Sequence, residues 1–120
     1  MHPAWPQAAA TEAVCYLTTV GRRTCRAHTI EIWFAALNSC IYFLSGGGDR
    51  SDWVRNVRQQ AAVDVRIGSE TRSGAAYVVV DLAEDALARR LLAAKYQGWR
   101  EGRPLSGWAR TALPVAVAFP

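Results

Sequence analysis

Histidine is nearly absent from this chain: among 120 residues only His2 and His28 occur. Neither lies in an HxxxH or HExxH spacing, which excludes a histidine-built metal centre, and neither has the Ser/Asp setting of a catalytic triad. Cysteine is scarce and odd in number, and Cys15, Cys25 and Cys40 form no CxxC pair. A zinc knuckle and a disulfide framework are therefore not expected, and reduced thiols in the cytoplasm fit better. No apolar run is long enough to cross a bilayer, and the start, MHPAWPQAAATEAV, has no basic head, so neither membrane insertion nor a signal peptide is expected. Internal repeats and low-complexity tracts are also missing.

What the chain has is apolar substance and a modest positive charge. Half of its residues are hydrophobic and the net charge is +4. A chain of this length buries about two-thirds of its unfolded surface, enough for one domain with a true core. The charge alone does not indicate a nucleic-acid partner.

Residues 1–12, with two prolines and several alanines, read as a flexible arm ahead of a domain over 13–120. The segments 13–20, 28–35 and 40–45 are rich in β-branched and aromatic residues and read as three strands of an antiparallel meander. In the second, Ile30, Ile32 and Phe34 alternate with Thr29, Glu31 and Trp33. Glycines end the third, and Asp49 or Ser51 then caps a short helix over 52–59. Strands follow at 62–68 and 75–81 around the turn SETRSG. Asp81 and Glu84 open a longer helix to Gln97, with Leu87, Leu91 and Ala94 as its apolar stripe and Gly98 as its stop. After a loop over 98–111, a last strand occupies 112–119. About six antiparallel strands and two helices, one short and one longer, give a mainly β (α+β) barrel.

Two stretches carry chemistry. In VGRRTCRAH, Arg22, Arg23, Arg26 and His28 crowd a glycine turn, and planar guanidinium forks with turn N–H groups suit one phosphate or carboxylate. The residues alone also fit a solvated turn or a nucleic-acid patch. In LSGGGDRSDWVRN, glycines allow close approach of a flat ligand, and a helix N-terminus favouring negative charge follows; a flexible loop before a capped helix fits the same residues. Of the five tryptophans, Trp33 and Trp53 stand beside these stretches, although core filling is tryptophan's usual role. Glu31 reads as a rim carboxylate paired with an arginine. An enzyme of this composition borrows its chemistry from a bound cofactor.

Read together, the T-x-G-R-x-[ST] hairpin (Thr19 to Thr24), the strand ending in Ser45-Gly46-Gly47 and the W-x-x-N helix (Trp53, Asn56) resemble the deazaflavin-dependent nitroreductase family over residues 14–119. The resemblance implies a split antiparallel β-barrel of the pyridoxamine-phosphate-oxidase type and a homodimer. It implies an oxidoreductase that passes a hydride from reduced coenzyme F-420, an 8-hydroxy-5-deazaflavin, to a small electrophile such as a quinone, enone or nitroaromatic. Alternatives are a non-catalytic F-420-binding protein and an FMN-binding reductase on the same barrel. By matched position Arg22, Arg23 and Thr24 would hold the cofactor's phosphate and acidic tail, with Arg26 and His28 at the edge. Ser45 and Gly46 would lie along the ring, Trp53 and Asn56 would contact the cofactor, and Trp33 would line the substrate pocket. Tyr96 and Tyr42 are candidate proton donors beside solvent. No metal, nucleic acid or stable membrane insertion is implied. The chain departs from the family at Cys25, usually glycine, and Ala27, usually proline, and AALNSC lacks the expected hairpin glycine. If position 25 needs a positive φ, cysteine costs roughly 1–2 kcal/mol there.

Overall fold

In the computed structural model, which describes residues 5–120, strand alternation curls one sheet around a core. The seven strands are β1 (Cys15–Val20), β2 (Ala27–Ile32), β3 (Ala35–Leu37), β4 (Cys40–Ser45), β5 (Ala62–Ile67), β6 (Glu70–Val78) and β7 (Leu113–Ala118). Their order is β2-β1-β5-β6-β7-β4-β3, and every pairing is antiparallel. The alternation is clearest in β5, where Val63, Val65 and Ile67 are buried and Ala62, Asp64 and Arg66 are exposed. Inside the curl, Leu17, Phe34, Ile41, Phe43, Val65, Val115 and Val117 meet in one apolar cluster.

The helices are α1 (Gln7–Ala10), α2 (Asp52–Gln59), α3 (Leu82–Gln97) and α4 (Gly107–Thr111), with a 3₁₀ turn at Gly48–Arg50. The longest, α3, covers the outer face of β4 and β7, where Tyr42, Leu44 and Ala116 pack beneath Ala88 and Leu92. β4 is therefore buried on both faces, which explains its nearly unbroken apolar sequence.

Several expectations shift. The segment read as one strand over 28–35 breaks at Trp33 and Phe34: β2 pairs with β1, whereas β3 pairs with β4 at the far edge. Two hairpins thus replace the meander. The turn expected over SETRSG is confined to Gly68 and Ser69, with Gly68 at φ 61°, and Glu70 to Ala75 is already strand. On α3 the buried stripe is Ala88, Leu92 and Ala93; Leu87 and Leu91 are half-buried and Ala94 is exposed. Arg89, next to Ala88, is half-buried against α4. Its Nη1 donates to the carbonyls of Ala109 (3.0 Å) and Ala112 (2.8 Å), and its Nε donates to Asp85 (2.6 Å). Of the segment read as an arm, residues 1–4 lie outside the described residues. Trp5 and Ala9 pack on the barrel core: the Trp5 ring meets Phe119 edge-on and lies beneath the Arg72 guanidinium.

Candidate functional site

The β1–β2 connection is built around Gly21. A side chain there would strike His28 Nε2 and Thr24 Oγ1, at 2.6 and 2.7 Å from the Cβ position. Gly21 N–H donates to the Arg26 carbonyl and Cys25 N–H to the Gly21 carbonyl, at 2.7 and 2.8 Å. Cys25 closes the turn at φ 58°, the left-handed conformation that a glycine would adopt without strain. The missing glycine of AALNSC is replaced in the same way by Asn38 at φ 55°.

A helix side chain ties this turn to the rest of the protein. Asn56, buried on α2, donates through Nδ2 to Thr19 Oγ1 (3.1 Å) and accepts through Oδ1 from the N–H (3.2 Å) and the guanidinium (2.9 Å) of Arg22. Arg22 also reaches Asp52 at 3.2 Å. Two of the three guanidinium nitrogens of Arg22 are thus engaged within the protein. The guanidinium groups of Arg23 and Arg26, and the backbone N–H groups of Arg23 and Thr24, have no acceptor among the described residues.

The result is an open cavity of about 420 Å³ whose walls include Arg22, Arg23, Thr24, His28, Trp53 and Asn56. Both sequence stretches therefore contribute to one site. Three other candidates lie outside its walls. Arg26 is exposed at the turn. Ser45 is buried and bonds the Gly48 carbonyl (3.1 Å) and Ser51 Oγ (2.9 Å), and Gly46 is exposed beside Trp108.

Farther along β2, a second cavity of about 510 Å³ is lined by Val14, Glu31, Ile32, Trp33, Leu44, Gln97 and Trp108. Trp33 stacks parallel on Tyr96 at 4.3 Å and meets Trp108 at right angles at 5.6 Å. The Tyr96 hydroxyl accepts from Phe34 N–H (3.0 Å) and donates to the Ala13 carbonyl (2.8 Å), with the Phe34 carbonyl at 3.0 Å. Burial raises its pKa. Lys95 donates to the Phe34 carbonyl at 3.0 Å and sits over the Phe34 ring; burial lowers its pKa. Tyr42 lines neither cavity: beneath α3, its hydroxyl donates to Glu84 at 2.9 Å. Glu31 accepts from Tyr16 at 3.2 Å and forms no ion pair among the described residues, unlike the arginine pairing expected for it. Neither Trp108 nor Lys95 was singled out by sequence reasoning, and Thr19 entered only as the first residue of the hairpin motif. Trp108 carried a signal only in the aromatic and glycine content of 98–111.

A family model described as F420H(2)-dependent quinone reductase matches residues 7–120. The chain belongs to that family. It is an F-420-dependent reductase, and coenzyme F-420 is its cofactor. Solved structures agree on the fold. An F420-H2 dependent reductase (FDR-A) superposes with TM-score 0.67 at 18% identity, covering 88% of this chain and 94% of its own. An F420 reductase gives 0.66 at 16%, covering 99% and 96%. A Listeria innocua protein assigned as a pyridoxamine 5′-phosphate oxidase gives 0.68 at 19%, covering 92% and 86%. The sheet is thus a split barrel of the pyridoxamine-phosphate-oxidase type. No curated protein matches the chain significantly by sequence.

The donor set fits the cofactor. Unspent guanidinium and amide N–H groups around Arg23 and Arg26 suit a phosphate and a run of carboxylates, and the exposed Gly46 beside Trp108 leaves room for a flat ring.

Proposed function

We propose that the two cavities divide the reaction between them. The basic one holds the phosphate and acidic tail of F-420, and the aromatic one holds a small flat electrophile such as a quinone, enone or nitroaromatic. The observation that carries this reading is the convergence of the hairpin and α2 on one cavity, with Arg23 and Arg26 uncommitted beside Arg22, which is already bound.

Bound in its reduced form, the deazaflavin supplies a hydride from carbon. The chain's part is to place and shield. The Asn56–Arg22 bonds fix the turn that receives the tail. Trp33, held flat by Tyr96, and Trp108 form a corner that orients a planar acceptor. Both tyrosine hydroxyls considered as proton sources are engaged, Tyr96 with backbone and Tyr42 with Glu84, so the proton comes from solvent through the open mouth of the aromatic cavity.

We further propose that the working unit is a homodimer in the cytoplasm. Val80 and Leu82, at the start of α3, are 87% and 86% exposed, large apolar side chains that a second copy would cover. The three cysteines are unpaired, as a reducing compartment would keep them. No helix among the described residues is long and apolar enough to cross a membrane. The test is a titration: colourless protein should quench F-420 fluorescence and oxidise the reduced cofactor only when menadione is added. A yellow protein as isolated, or quenching without turnover, would overturn the assignment in favour of FMN or of a passive binder.

A further inference from the structure

The aromatic cavity carries an acid in a basic protein. The chain has a net charge of +4, yet among the described residues the single charged side chain lining this cavity is Glu31. Its carboxylate is not neutralised by an ion pair among the described residues. It is steadied instead by the Tyr16 hydroxyl at 3.2 Å, whose ring lies beneath the Arg66 guanidinium at 4.3 Å. Trp33, stacked on Tyr96 by one face, meets Trp108 at right angles, with ring centroids 5.6 Å apart. Aromatic faces carry negative potential, and a tryptophan wall beside a carboxylate is an environment in which a cation is favoured and an anion repelled.

We propose that Glu31, with the Trp33–Trp108 corner, is the specificity determinant of the acceptor site, selecting flat cationic acceptors over neutral ones and rejecting anionic ones. The inference rests on the reading of this cavity as the acceptor site. It adds the charge class of the substrate and the residue that sets it. Glu31 is exposed, so its selectivity is moderate and salt-sensitive. The Arg23–Arg26 turn does not reverse it, because the cofactor's own carboxylates and phosphate offset those charges when bound.

The test uses three naphthoquinones of matched ring: unsubstituted, bearing a quaternary ammonium arm, and sulfonated. Each is reduced to its hydroquinone by one hydride from reduced F-420 and one proton from water. At low salt the wild type should show kcat/KM at least about tenfold higher for the cationic than for the sulfonated quinone. Glu31→Gln should cut that ratio at least about fivefold, Glu31→Asp should keep most of it, and raising salt from about 20 to about 200 mM should compress it in the wild type. A binding readout accompanies activity: quenching of tryptophan fluorescence by the cationic quinone in cofactor-free protein should weaken in Glu31→Gln. A ratio unchanged by Glu31→Gln, or by salt should that variant not fold, overturns the proposal, as does a wild-type preference for the sulfonate. No turnover of the neutral quinone, with Glu31-dependent binding of the cationic one retained, would overturn the reductase-site assignment and leave charge selection standing.

Discussion

The two cavities follow one another along β2, and they are built on opposite plans. In the basic cavity one hairpin and one helix supply the walls, and Arg23 there, like Arg26 on the exposed turn outside it, stays uncommitted. In the aromatic cavity the walls come from before β1, from β2 and β4, from the end of α3 and from α4, and the rings there are already packed on one another. One site is poised to gain partners, whereas the other is shaped in advance by contacts within the protein. A polyanionic tail needs free donors, while a small planar acceptor needs a fixed corner.

The sharpest way to break the contrast is at Asn56. Asn56→Ala removes three hydrogen bonds, leaving the Thr19 hydroxyl without its donor and the Arg22 N–H without its acceptor. The expected loss is about 2–3 kcal/mol of stability, seen in thermal unfolding, together with weaker F-420 binding. Unchanged stability would mean that the turn is not braced from α2. Next in size is Arg23→Ala combined with Arg26→Ala. F-420 affinity should fall about 30-fold by fluorescence titration and the binding should lose much of its salt dependence, while stability stays within about 0.5 kcal/mol. Arg22→Ala should show the reverse pattern, with stability lost first. Equal affinity in the Arg23–Arg26 double variant would remove the clamp.

The same contrast explains what could be read from sequence. The hairpin and the W-x-x-N helix were legible because each is local, and Gly21, Arg22 and Asn56 stand in fixed spacings. That Arg22 would be consumed by Asn56 was not legible, since the two meet across 34 positions. Most strands were legible from alternation. The break after β2 was not, because Trp33 and Phe34 continue the apolar pattern while the backbone leaves one edge of the sheet for the other. The start of β6 was hidden by polar residues, where Arg72 bonds Glu70 and Ser73 bonds Asp64 on β5 (2.6 Å). Trp108 entered the site from a stretch read only as loop, which a one-turn helix capped by Ser106 carries to Trp33.

Tyr42 offers a reference point outside both cavities. Its hydroxyl and that of Tyr77 converge on Glu84, at 2.9 and 2.7 Å. Burial, and then hydrogen bonding to Glu84, raises both above the ordinary tyrosine value of 10.0. The folded protein therefore holds protons that the unfolded chain releases. Their contribution is fully present below pH 10 and is lost as the pH rises beyond it. Changing both tyrosines to Phe should cost about 1–2 kcal/mol at neutral pH. It should also flatten the fall of Tm above pH 10, while quinone turnover per folded molecule is retained. Turnover abolished with F-420 binding intact would move the acceptor chemistry to the α3 side and undo the division between the cavities.

The smallest effect concerns the turn itself. Cys25 holds φ 58° in the turn that follows the cavity-lining Thr24, where glycine avoids the clash of Cβ with the following carbonyl. Glycine also adds unfolded-state entropy, which offsets part of that gain. Cys25→Gly should therefore raise stability by about 0.5–1 kcal/mol in thermal unfolding. It should also leave quinone selectivity untouched, because the aromatic cavity shares no wall with the turn. Cofactor affinity discriminates further. If the left-handed turn already presents the Arg23 and Thr24 N–H groups as glycine would, affinity stays within about twofold. A tenfold gain would instead show that the cysteine holds the basic cavity away from its binding geometry, so that this end of the site is the one still incompletely formed.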